Sequence, residues 1–201
     1  MLSYLVYGTD GYYGIKRHTN DNKGKYHMKS SLKLIAMIFV FSPLYAYAGG
    51  NPEHVKFPEG YVKAYTKYST ANRANQKQVA KLYANEAAIT SYSQGKKAAS
   101  GSVVVMEIYS PKTDAEGKPV PGSDGVFEID SLAAIGVMEK RNNWGESFTQ
   151  EDRTGDWGFA LYNPDGSEKA NDLSCVQCHT PLNAQDYLFT YQRLVDFVNN
   201  H

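Results

Sequence analysis

The two cysteines of this chain stand in one five-residue stretch near its C-terminal end, Cys175-Val176-Gln177-Cys178-His179. Nothing else in the sequence limits the fold as strongly. C-x-x-C-H is the attachment signal of a c-type haem. Two thiols three positions apart reach the two vinyl groups of one macrocycle and form thioethers. The residue after them aims its imidazole at the iron from a fixed side, and the covalent bonds retain the group even in a shallow pocket. Three other readings fit less well. A thioredoxin-like redox pair calls for a preceding strand and a βαβ setting, and a structural zinc site needs four ligands. The histidines nearest in the chain are His54 and His201, close to the ends of the folded part. A disulfide between Cys175 and Cys178 would leave His179 unexplained. The motif therefore implies one covalent haem c, bound by Cys175 and Cys178, with His179 as the proximal iron ligand.

The N-terminus indicates where such a group would be attached. From Met28 the chain reads MKSSLKLIAMIFVFSPLYAYAGG. Lys29 and Lys33 form a short positive region, an apolar run extends from Leu34 to Leu44, and Ala46-Tyr47-Ala48 makes a small-x-small cleavage site. This is the three-part layout of a secretory signal peptide, with an apolar run too short to span a bilayer. Residues 28–48 are thus expected to be removed on export, leaving no membrane span and a periplasmic mature protein. Residues 1–27 precede a complete signal and read as an upstream mis-start, expected to be disordered. The mature part, 49–201, suits one cytochrome domain with a substantial core. It keeps 15 Lys and Arg against 19 Asp and Glu. This mild acidity, without a basic stripe, argues against nucleic acid as a partner.

Within the mature part, short strand-like runs alternate with turns rich in Gly, Pro and Asp. Gln78–Tyr83 reads as a strand, and Asn85 as the N-cap of a helix running through Ile89 and Tyr92 to a stop at Gly95. Ser102–Tyr109, SVVVMEIY, is the clearest strand. Val104, Met106 and Ile108 share one face, and Val103, Val105, Glu107 and Tyr109 the other. Pro111–Gly125 is breaker-rich and predicts a loop. Leu132–Glu139 and Asp156–Tyr162 read as further strands. In the second, Trp157, Phe159 and Leu161 share a face, while Gly158 and Ala160 leave the opposite one nearly bare. From Asp186 onward Leu188, Tyr191, Leu194, Val195 and Val198 form a helical stripe. Together these give an α+β class, an antiparallel sheet with a few helices and a C-terminal haem-attachment motif.

Small c-type cytochromes are usually helical, with the motif near the N-terminus. Here it lies behind a sheet. In that order of elements the chain resembles the cytochrome P-460 family, which includes cytochrome P-460 and cytochrome c′-beta. The resemblance runs from the Pro-x-x-Tyr opening at Pro58 to YQRLVDF at Phe197. It is carried by the strand opening Gly101-Ser102-Val103, the hairpin GSDG, Trp157-Gly158-Phe159, CVQCH and the DYLFTYQRL that follows. It implies a β-rich homodimer with five-coordinate iron that binds or converts nitric oxide, hydroxylamine or related nitrogen oxides, with a cytochrome as redox partner. In the P-460 enzymes a lysine on the strand after the Gly-Ser/Thr-Val opening is cross-linked to the haem ring. This chain has Met106 there, and a thioether supplies no nitrogen for such a bond. Lys96, Lys97 and Lys112 flank the strand.

The expected function is therefore a mono-haem cytochrome whose open distal site takes nitric oxide or a related nitrogen oxide. The alternatives are a hydroxylamine-oxidising enzyme and a His/Met electron carrier. Met106 could fill a gap in the core, lie against the haem edge, or, like Met138, bind the iron opposite His179. Arg153, Arg141, Lys81 and Glu107 are candidates for a distal polar group. Val104, Met106 and Ile108 make the expected apolar distal surface.

Overall fold

The computed structural model describes residues 50–201, so the expected signal peptide and upstream segment lie outside the described residues. Five strands form one antiparallel sheet in sequence order: β1 Thr66–Asn72, β2 Val79–Ala84, β3 Val103–Pro111, β4 Ile129–Lys140 and β5 Trp157–Tyr162. Each strand pairs antiparallel with its neighbours in the chain, so the sheet is a meander, with α2 in the connection from β2 to β3. Helix α1, Tyr61–Ala64, precedes it, and α2, Glu86–Ser93, joins β2 to β3. After β5 come α3, Cys175–His179, a 3-10 stretch over Thr180–Gln185, and α4, Tyr191–Asn200.

Register fixes which side chains meet. Met106 of β3 stands opposite Leu82 of β2 and Gly136 of β4, and Met138 of β4 opposite Val104 and Phe159. One face of the sheet carries Tyr68, Ala80, Leu82, Ala84, Val104, Trp157 and Phe159. It packs against Ala88 and Tyr92 of α2, Leu188, and Leu194 of α4. The other carries Tyr83, Val105, Ile135, Val137, Ala160 and Tyr162, covered by Val55, Tyr61, Trp144 and Phe148.

Several expectations change here. The β5 face of Gly158 and Ala160 is not bare. A Cβ on Gly158 would come within 2.7 Å of Val55 and 2.9 Å of Phe148, so the small residue makes room for a packed layer. Strand β1 is mostly polar and gives no alternation, yet Tyr68 and Ala71 bury and its backbone pairs along β2. The helix expected from Asp186 begins only at Tyr191. Asp186 and Tyr187 instead take left-handed backbone, with φ of 47° and 63°. Asn85 does cap α2: its side chain accepts from the Ala88 amide at 3.1 Å and from the Val103 amide at 3.0 Å, fastening the helix to β3.

Glu107, on the second face, is buried and accepts three phenol hydroxyls: Tyr61 at 2.8 Å, Tyr83 at 3.0 Å and Tyr109 at 2.9 Å. It lies on the opposite side of the sheet from Met106 and is not a distal group. The other three polar candidates are also engaged elsewhere. Lys81 sits over the Tyr109 ring, Arg141 pairs with Glu139 and lies over Trp144, and Arg153 bonds the Phe148 carbonyl.

Candidate functional site

The motif residues sit on one short helical segment, where positions three apart lie on the same side. Cys175 is half-buried and Cys178 exposed, and both sulfurs are free. Burial pushes the Cys175 thiol up, with Cys178 adding to the effect. Thr180 closes the segment by donating its hydroxyl to the Val176 carbonyl at 2.7 Å.

His179 is the best-defined member. Its Nδ1 lies 2.7 Å from the Tyr187 carbonyl oxygen. A carbonyl only accepts, so Nδ1 carries the hydrogen and Nε2 keeps its lone pair. Burial lowers the imidazole's pKa from its ordinary value, opposed in part by the Tyr187 bond, and so favours the neutral form that binds metals. The ring is held between Phe159 of β5 and Phe189, each with its centroid 4.8 Å away.

The surroundings suit a flat apolar macrocycle. Met106, Met138, Cys175, Val176 and Tyr187 are only partly buried where they border the first core. Phe189, packed against His179, and Leu173, two residues before Cys175, expose 64 % and 57 % of their surface. A haem held by Cys175 and Cys178, with His179 on the iron, would cover apolar surface that is otherwise wet. Of the expected distal trio, Val104 and Ile108 are already buried within the protein. Met106 stays accessible, and Met138 joins it from the next strand. Among the described residues no three His, Cys, Asp or Glu side chains gather as a metal cage, so the zinc reading finds no donor set.

Two residues that sequence reasoning missed complete the site. Asp186 exposes only 1 % of its surface and gathers four donors. Tyr92 donates at 2.9 Å and the Ala98 amide at 2.8 Å to Oδ2; Lys140 donates at 2.9 Å and Trp157 Nε1 at 3.4 Å to Oδ1. Lys140 is the strand lysine on the Met106 face, and its ammonium also lies over the Trp157 ring. Asp186 is adjacent to Tyr187, whose carbonyl holds His179. The acidic residue in DYLFT was the one available signal, and it reads from sequence as a helix start. Of the flanking lysines, Lys96 turns to Gln94 and Lys112 to Glu128, whereas Lys97 reaches the Asn183 carbonyl, in the 3-10 stretch just after the motif.

A family model described as Cytochrome P460 matches residues 58–190, which take in the whole sheet, the motif and the 186–190 turn. No curated protein matches the chain.

Proposed function

Since the chain belongs to the cytochrome P460 family, a family of haem proteins, we propose that it is an exported c-type cytochrome carrying one covalent haem that takes nitric oxide or a related nitrogen oxide. Cys175 and Cys178 supply the thioether sulfurs, and His179 is the only protein ligand to the iron. The haem, once bound, supplies a redox-active iron with one position left for a small ligand. The observation that carries this reading is the Nδ1 bond to Tyr187, which leaves Nε2 as the free donor and fixes the ring plane.

The accessible strand face at Met106 and Met138 is apolar, and the charged candidates Glu107, Lys81, Arg141 and Arg153 are engaged elsewhere. Such a wall offers bound gas no strong hydrogen-bond donor. It favours neutral nitric oxide over anions and gives poor assistance to O–O cleavage. By the resemblance Met106 takes the place of the lysine that the family's cross-linking enzymes have, and Lys140 on the same face is committed to Asp186. Both support a haem without a lysine bond, against hydroxylamine oxidation. The mature protein is proposed to begin near Gly49, to be periplasmic and homodimeric, and to exchange electrons with a partner cytochrome. No helix among the described residues is long and apolar enough to cross a membrane.

The test pairs intact mass with a nitric oxide titration of the ferrous holoprotein. One haem that resists acid-acetone extraction, lost in the Cys175→Ala/Cys178→Ala variant, together with ready binding of the gas, is expected. A mass equal to apoprotein, or a ferrous protein that resists the gas, overturns the reading. Peptide mapping that finds the haem linked to a lysine overturns the assignment of Met106.

A further inference from the structure

We propose that Asp186 is a positioning residue for the axial imidazole, holding the left-handed 186–187 turn from which the Tyr187 carbonyl orients His179. The proposal rests on His179 being the iron ligand and concerns what sets that ligand's bond strength. Two consecutive non-glycine residues with φ of 47° and 63° are costly, on the order of 1 to 3 kcal/mol each, and persist only where the surroundings hold them. What holds them is visible. The Asp186 carboxylate ties the turn to α2 through Tyr92, to the segment after α2 through the Ala98 amide, to the end of β4 through Lys140 and to the start of β5 through Trp157. On the other side of the turn the Tyr187 ring lies against Gly155, where a Cβ would come within 2.7 Å of Cε2. The carbonyl between these two anchors receives the imidazole N–H at 2.7 Å.

The consequence follows from the chemistry of histidine ligands. An imidazole that donates Nδ1–H to a fixed carbonyl is a better electron donor through Nε2. Without a side-chain acceptor that holds the turn, residue 186 is free to leave the left-handed region, the Tyr187 carbonyl swings, and the bond to His179 lengthens or is lost. The iron–imidazole bond should then weaken. A side chain that merely stabilised the fold would lower the melting temperature and leave that bond as it was.

The readout is the iron–imidazole stretching band in the resonance Raman spectrum of the ferrous holoprotein. In Asp186→Ala it is expected to move to lower frequency and broaden. In Asp186→Asn, whose side chain tolerates left-handed backbone and still accepts two of the four donors, the band is expected to stay at its wild-type position even though the charge is gone. If Asp186→Ala yields no holoprotein, Asp186→Ser replaces it and should show the same downshift, since serine keeps one acceptor but not the tolerance for the turn. A wild-type band in Asp186→Ala or Asp186→Ser, or the same downshift in Asp186→Asn, overturns the proposal while leaving His179 as ligand. A wild-type ferrous protein with no iron–imidazole band shows that the iron is not five-coordinate with a histidine, which overturns the proposed function on which this inference rests and not the role of Asp186 alone.

Discussion

Replacing Glu107 by Gln tests whether the far face of the sheet is held by one carboxylate and three phenols. Hydrogen bonds to a charged group contribute roughly 1.5–3 kcal/mol each, but Gln keeps part of the set. Its carbonyl still accepts one hydroxyl, and its amide donates to phenol oxygens that act as acceptors. The net cost should be about 2 kcal/mol, which lowers the melting temperature by about 4–8 °C for a domain of this size. Glu107→Ala leaves all three phenols without their acceptor and should cost about 4 kcal/mol. A second signature is alkaline. Burial, with Glu107 adding to it, pushes Tyr83 from 10.0 up to about 12, and Tyr61 and Tyr109 are also raised. A folded pKa above the unfolded one means stability that is complete below pH 10 and lost as pH climbs through about 12. Without the carboxylate charge these phenols ionise earlier in the folded protein, so the tyrosinate titration should move to lower pH, while the alkaline loss of stability, which still starts near pH 10, should be smaller. Urea denaturation at neutral pH and a tyrosinate absorbance titration measure the two effects. A Gln variant within about 0.5 kcal/mol of wild type, with an unmoved tyrosine titration, would refute the reasoning.

Gly158→Ala should cost about 1–3 kcal/mol by overpacking, because the new methyl meets Val55, Phe148 and Trp144 in a layer with no room to yield; thermal melting of the variant checks it. Asn85→Ala should cost about 2 kcal/mol, since the same side chain caps α2, accepts from Val103 and donates to the Gly101 carbonyl at 2.8 Å. Chemical denaturation against wild type measures that loss. Leu194→Ala removes a fully buried side chain that seats α4 on the first core and should cost about 3 kcal/mol by the same assay.

What the sequence made legible were features whose cause is local. The alternation in SVVVMEIY assigned Met106 and Glu107 to opposite faces, as the structure has them, because side-chain direction in a strand follows from the pleat alone. Asn85 was readable as a cap for the same reason. Cys175, Cys178 and His179 were legible as one local segment, which the structure forms as a short helix. Three features with distant causes were not. Strand β1 has no apolar period because little of it beyond Tyr68 and Ala71 is buried, whereas the other edge strand, β5, is packed on both faces. The Asp186–Tyr187 turn breaks a helical stripe because donors from four other segments claim the Asp186 carboxylate. Val104 and Ile108 were read as distal surface, but which part of an apolar strand face stays open depends on where α2 and α4 lie. Only Met106 of that trio keeps access to the site.

The absorption spectrum of the dithionite-reduced protein tests the central claim most directly. With His179 as the sole protein ligand and no lysine bonded to the ring, the account predicts a high-spin ferrous spectrum that converts on addition of nitric oxide. Sharp low-spin α and β bands that become high-spin in Met106→Ala or Met138→Ala would make the protein an electron carrier. A Soret band displaced far to the red would mean that a lysine is bonded to the haem. Either result would contradict the account.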